Sequence, residues 1–470
     1  MKQLLLIVSL CLCLLDGYAQ KIKVACVGNS ITYGAYIENR EQNSYPAQLQ
    51  VYLGDGYEVK NFGVSGTTAL TEGLYPYINT DEYKRSLEYN PDIVLIKLGT
   101  NDANERNDKW RVNFEKDYAE LVASYAALPS SPRVILLTPV RCFLPTNQDN
   151  EIVSKIMPAI HRTACTNGYE IINLHNLFGD KWQQDLFPDK LHPSSVGAGM
   201  IAEKIYNYIT LEKAKRGDIV DKFPLEPCRE FNFYGYKGYE YDNDGVRYYI
   251  VKPNHTAAGN PWIWRARFWG HEPQLDIDLL ERGFHLTYCE VGDLYGSQQA
   301  VDRWNTFYKL AIKAGLNKKV ALEGMSRGGL IIYNWAAQNT KKVACIYGDA
   351  PVMDLKSWPM GEGIYRGDDG CISTMLGAYG FASRQEAKKW AANPIDHAAV
   401  IAKAKIPIIH VVGDADIIVP PSENSAIFEE RLKQSGHTMT VINKPGVGHH
   451  PHSLNDPKPI LEFILKATGQ

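Results

Sequence analysis

From Lys21 to about Leu211, short β-rich apolar runs alternate with longer stretches of helical periodicity. The runs are Lys23–Val27, Tyr57–Asn61, Ile93–Leu98, Val134–Thr138 and Glu170–Leu174; the helical stretches include Tyr45–Leu53, Trp110–Leu128, Glu151–Thr166 and Ser195–Leu211. Strands separated by helices predict a parallel sheet with helices on both faces. The second half begins differently. Arg229–Gly238, Glu240–Asp242 and Val246–Pro253 are aromatic, strand-like and broken by turn residues, the pattern of antiparallel hairpins. Strand–helix alternation then returns, from Trp262–Phe268 through Val320–Glu323 and Ile406–Val412 to Met439–Asn443. The fold class expected is α/β, in two domains.

Length supports that division, because 470 residues exceed what one hydrophobic core usually supports. The charged stretch 212–227, with its glycine and two prolines, is the expected linker between domains at 21–211 and 228–470. Between Asp354 and Pro394 the alternation lapses, where a cap or lid is expected. Residues 1–20 read as a secretory signal: Lys2, the apolar run Leu4 to Leu15, and a small-residue cleavage site at Gly17-Tyr18-Ala19. Export as a secreted or periplasmic protein follows, and no segment is long and apolar enough to span a membrane. Net charge is −3 with lysines and arginines dispersed, so neither a nucleic acid nor an anionic membrane is the expected partner. The seven cysteines beyond the signal form no C-x-x-C pair and read chiefly as buried free thiols. With no G-x-G-x-x-G and no P-loop, no cofactor is expected.

Candidate chemistry sits on two glycine-rich turns. Gly28-Asn29-Ser30-Ile31-Thr32-Tyr33-Gly34 follows the first strand, Asn61-Phe62-Gly63-Val64-Ser65-Gly66 the second, and Gly99-Thr100-Asn101-Asp102 the third; Asp189-Lys190-Leu191-His192-Pro193 precedes the last helix. These loops fall at the carboxyl ends of strands, where open α/β sheets carry their sites. Four blocks in this order resemble the SGNH (GDSL-like) hydrolase family over residues 21–211. The resemblance implies a flavodoxin-like sheet, Ser30 as nucleophile, His192 as base and Asp189 orienting it. It also implies an oxyanion hole made by the N–H groups of Ser30 and Gly66 and the amide of Asn101. Asn29 departs from the pattern, which usually has Asp there.

The second turn, Gly324-x-Ser326-x-Gly328, lies between a strand and a helix, the setting of a nucleophile elbow. Ser326 would stand above the sheet at a helix N-terminus, and the N–H of Arg327 would face the oxyanion. From about Arg229 onward the chain resembles an α/β-hydrolase. By that resemblance Asp416, or less closely Asp414, is the acid, and His449 the base, with His450 the alternative in the doublet. Pro261–Arg265 replaces the familiar glycine-rich pattern, leaving the second oxyanion donor unassigned. His449, His450 and His452 could suggest a metal, but no acid or cysteine lies at ligand spacing and His271-Glu272 is followed by proline, so no metal is expected. Most aromatics in such folds are core; Trp262, Trp264, Trp269, Trp304 and Trp358, near the second site, are the candidates for stacking on sugar rings.

Together the resemblances imply a bifunctional serine esterase that strips acyl groups, acetyl above all and possibly feruloyl, from polysaccharides or oligosaccharides. The alternatives are one active domain beside a glycan-binding or vestigial one, or a peptidase-like second domain.

Overall fold

A computed structural model describes residues 20–215 and 218–470. The signal-like segment, including Cys11 and Cys13, lies outside the described residues, apart from Gln20. The chain divides into two compact units, one holding residues up to Ala159 with Trp182–Tyr206, the other Ile160–Lys181 with Asn207–Gln470.

The smaller sheet contains β1 (Ile22–Gly28), β2 (Tyr57–Gly63), β3 (Ile93–Lys97), β4 (Arg133–Leu137) and β5 (Glu170–Ile172), in the order β2-β1-β3-β4-β5. β1 pairs in parallel with β2 and β3, and β3 with β4. β3 is buried along its whole length, as a central parallel strand requires. Parallel register brings Gly28, Gly63 and Lys97 level at one end, because Gly28 pairs with both of the others.

The larger sheet adds β6 (Arg229–Phe233), β7 (Tyr236–Asn243), β8 (Val246–Val251), β9 (Trp262–Ala266), β10 (His285–Cys289), β11 (Val320–Met325), β12 (Val343–Asp349), β13 (Ile408–Gly413) and β14 (Thr440–Lys444). Their order is β14-β13-β12-β11-β9-β10-β8-β7-β6, antiparallel from β6 to β10 and parallel beyond. This is the α/β-hydrolase arrangement with a leading antiparallel portion.

Several sequence expectations shift. In the expected linker, Ile219 and Phe223 are buried, Phe223 packing its ring 4.5 Å from Tyr241. Apolar side chains there gain more from the core than from solvent. The segment expected as a cap carries helices Asp369–Tyr379 and Arg384–Lys388, and its Leu355, Met360, Met375 and Ala387 share a core with Tyr295 and Val419. Trp262, Trp264 and Trp304 are core residues rather than sugar platforms: the rings of Trp264 and Trp304 stack 3.9 Å apart, and all three are under 2% exposed. Trp358 is buried too. All seven cysteines among the described residues are unpaired. Cys26, Cys142, Cys289 and Cys345 are buried, and burial pushes each thiol up. Cys165 and Cys371 are half-buried and Cys228 is exposed, so the expectation of buried thiols holds for only part of the set.

Candidate active sites

The first site grows from the end of β1. Ser30 opens a single helical turn, Ser30–Tyr33, whose N-cap Asn29 accepts a hydrogen bond from the Ile31 N–H at 3.2 Å. Gly34 ends the turn in the left-handed region, at φ 87°. The imidazole of His192 stands with Nε2 2.9 Å from Ser30 Oγ and Nδ1 2.6 Å from Asp189 Oδ2. Lys190, at φ 67°, tightens the intervening turn so that Asp189 Oδ1 also accepts the N–H groups of Leu191 and His192, at 3.0 and 2.7 Å. Burial works against ionising Asp189, but the His192 backbone and ring hydrogen bonds outweigh it and hold the carboxyl below its ordinary value.

Gly66 adopts φ 84°, open to glycine without strain, and nothing nearer than Tyr75 Cδ1 at 3.9 Å would meet a Cβ there. Asn101 donates one amide hydrogen to the Thr67 carbonyl at 2.8 Å, which ties it to the Gly66 loop and leaves its second hydrogen for another acceptor. The structure thus gathers the turn of Ser30, the loop of Gly66, Asn101 and the Asp189–His192 pair in one unit.

Sequence reasoning missed two neighbours. Tyr36, 85% exposed, sets its ring edge-on to His192 at 5.1 Å. Lys97 is fully buried at the end of β3, donating to Thr100 Oγ1 at 2.9 Å and Asn29 Oδ1 at 3.4 Å. Burial holds its ammonium down to about 7, with the Asp102 carboxyl pulling the other way. Asp102, itself buried, is pushed up to about 6. The signal for Lys97 was present, as a lysine closing the apolar run of β3.

The second site grows from the end of β11. Ser326 sits at φ 48°, a strained position for a non-glycine residue and the mark of a nucleophile elbow. A Cβ on Gly324 would lie 2.8 Å from the Gly328 carbonyl, so the close turn excludes side chains there. Ser326 donates its N–H to the Asp349 carbonyl at 2.8 Å. His449 places Nε2 2.9 Å from Ser326 Oγ and Nδ1 2.7 Å from Asp416 Oδ2. Asp416 Oδ1 accepts from Ile418 and Val419 N–H groups, and its side chain is fully shielded from solvent. Burial opposes its ionisation, and the His449 hydrogen bond reverses that, holding the carboxyl low. Asp414 instead accepts the Gly446 N–H, and His450 is exposed, so Asp416 and His449 are the members of each doublet that the fold connects to Ser326.

Arg327 begins the helix after the elbow and lays its guanidinium against Tyr295 and Asp293. The loop after β9, on the elbow's other side, has Arg267 and Phe268 at φ 63° and 48°. Arg265, buried in β9, holds that loop: its guanidinium donates to the carbonyls of Phe268 and His271 and to Asp276 and Glu323. Burial, together with the proximity of Asp276, pushes the Glu323 carboxyl well up. The buried arginine pins this loop by its backbone carbonyls, a role no local pattern announces. Behind the elbow, Asp349 accepts from Tyr347 Oη at 2.7 Å and the Ser453 N–H at 2.8 Å, and its Oδ1 lies 2.6 Å from His452 Nδ1.

Residues 26–199 match the GDSL-like Lipase/Acylhydrolase family, and residues 295–470 match the Prolyl oligopeptidase family. Over 206 residues the chain is 40% identical to an acetylxylan esterase of Xylanibacter ruminicola; the match covers 39% of this chain and 42% of that relative, well under half its length. Among solved structures, Est24, a carbohydrate acetylesterase from Sinorhizobium meliloti, is 17% identical with a TM-score of 0.34, covering 40% of this chain and 98% of its own. The M. smegmatis aryl esterase is 14% identical with a TM-score of 0.33, covering 40% and 98%. No helix among the described residues is long and apolar enough to cross a membrane. The chain therefore carries a GDSL-like (SGNH) hydrolase domain followed by an α/β-hydrolase domain.

Proposed function

We propose that the protein is an exported bifunctional carbohydrate esterase with one serine triad in each domain. The observation that carries this reading is the pair of complete Ser–His–Asp relays, each with imidazole Nε2 2.9 Å from a serine oxygen. In the first domain Ser30 Oγ attacks the acyl carbonyl while His192 Nε2 takes its proton and Asp189 holds the imidazolium. The N–H groups of Ser30 and Gly66 and the amide of Asn101 stabilise the tetrahedral oxyanion. Collapse breaks the ester bond, and the sugar oxygen leaves with the proton from His192. Water, deprotonated by the same imidazole, then releases the carboxylic acid from the acyl-serine. Ser326, His449 and Asp416 perform the same steps in the second domain, with the Arg327 N–H as one oxyanion donor.

The acetylxylan esterase relative supports acetyl groups on an acylated polysaccharide as the first domain's substrate. The exposed ring of Tyr36 beside His192 suits a sugar face. The second domain takes another ester, acetyl or feruloyl. A second reading draws on the prolyl oligopeptidase match, which favours peptide amides for that domain.

The deciding experiment measures acetate and ferulate released from acetylated and feruloylated polysaccharides, alongside cleavage of chromogenic peptide amides. Wild type, Ser30→Ala, Ser326→Ala and the double variant are compared. Loss of a different ester product in each single variant supports bifunctionality. Peptide cleavage abolished by Ser326→Ala supports the peptidase reading, and an unaffected Ser326→Ala variant reduces the second domain to a binding or vestigial module.

A further inference from the structure

Beside the second triad the fold brings together the three imidazoles that the sequence analysis set aside for want of an acid or cysteine at ligand spacing. His449, His450 and His452 have ring centroids 5.1, 4.8 and 4.8 Å apart and planes at 77°, 80° and 83° to one another. An imidazole bound to zinc at about 2.0–2.1 Å has its centroid roughly 3 Å from the ion, so two such rings at a tetrahedral angle lie about 5 Å apart. The observed separations meet that requirement, and one nitrogen from each ring lies within 4.8 Å of the others. The remaining approach, to about 3.3 Å between ligand nitrogens at tetrahedral angles, is open to His450, which is exposed.

Two of the rings are already oriented as metal ligands usually are, with Nδ1 against a buried carboxylate: His452 on Asp349 at 2.6 Å and His449 on Asp416 at 2.7 Å. Both leave Nε2 as the coordinating atom. His271 lies farther out, its ring 5.8 Å from His452 and 6.3 Å from His450.

We propose that these three histidines form an inhibitory site for a divalent transition cation of the zinc class. The lone pair of His449 Nε2 that must receive the Ser326 proton would be donated to the metal, so occupation and hydrolysis exclude one another. This departs from the sequence expectation of no metal, which weighed only neighbours along the chain. It rests on His449 being the base for Ser326, but the binding itself does not.

The experiment uses the full chain carrying Ser30→Ala. Zinc binding is measured by competition with a chromophoric chelator, and Ser326 reactivity by the rate of fluorophosphonate labelling. One equivalent of zinc should bind, slow labelling at least tenfold, and be reversed by a chelator. His450→Gln should weaken zinc binding at least tenfold while labelling proceeds at the wild-type rate and resists zinc; His452→Gln is the second binding variant. Binding of less than one equivalent, or binding untouched in His450→Gln, overturns the site. A Ser326 that never labels while zinc still binds through these histidines sinks the esterase reading and leaves the metal site standing.

Discussion

Replacing Lys97 with methionine should flatten the rise in stability of the first unit between pH 7 and pH 9. Lys97 is fully buried, and its hydrogen-bond partners, Thr100 and Asn29, are both neutral. Its pKa falls from 10.5 to about 7, so the folded chain sheds a proton that the unfolded chain keeps. A lowered folded value contributes stability that is full above the unfolded value and is lost as pH falls toward the folded one. The window therefore runs from about 10.5 down to about 7. Each pH unit inside it is worth about 1.4 kcal/mol, so the change from pH 7 to pH 9 is of order 2–3 kcal/mol. Asp102, pushed up to about 6, titrates below this range and does not mask it. The assay is urea unfolding of wild type and Lys97→Met at pH 7, 8 and 9, taking the difference at each pH so that distant groups cancel. Parallel stability curves would refute the reasoning. Asn29→Asp, which restores the usual residue of the SGNH pattern, places a carboxylate near Lys97 Nζ and should shrink the rise.

Four further outcomes follow from the geometry. Asp416→Asn should cost about 10⁴-fold in kcat at the second site by disturbing the His449 tautomer. Asp189→Asn should cost the first site less, because the Asp189 side chain is 43% exposed and water can take its place, whereas that of Asp416 is 0% exposed; single-site kinetics in the Ser30→Ala and Ser326→Ala backgrounds decide. Arg265→Met leaves Asp276 and Glu323 buried without their cation, and chemical denaturation should register a loss of about 3–5 kcal/mol, largely recovered when both acids become leucine. Gly63→Ala would drive a Cβ against the Tyr33 N–H and within 2.7 Å of the Thr32 carbonyl carbon. The turn bearing Ser30 should shift, with about 1–3 kcal/mol lost and slower fluorophosphonate labelling of Ser30 in the Ser326→Ala protein.

Much of this architecture was legible because it is written locally. The β-rich runs became β1 to β5 with small changes at their ends, and the Gly28–Gly34 and Gly324–Gly328 turns are conformational demands visible in the residues themselves. The partners of the two serines, 162 and 123 residues away, were legible only through family resemblance, since no periodicity links Ser30 to His192 or Ser326 to His449. What escaped has the same cause. Arg265 acts through Asp276 and Glu323 on other elements, His452 meets Asp349 across 103 residues, and Lys97 matters because the register sets it opposite Gly28, beside the Asn29 that accepts its hydrogen bond. The tryptophans could not be sorted one from another because an aromatic residue looks the same in sequence whether it faces a sugar or the core.

The uneven burial of the thiols has a practical side. Among the described residues four cysteines are shielded inside the core, two are half-shielded, and Cys228, just ahead of β6 with its Sγ 3.3 Å from the Glu240 carbonyl, is the exposed one. A brief treatment with a maleimide should modify Cys228 first. Among the described residues the chain thus offers one exposed thiol as an attachment point for a fluorophore or a surface tether.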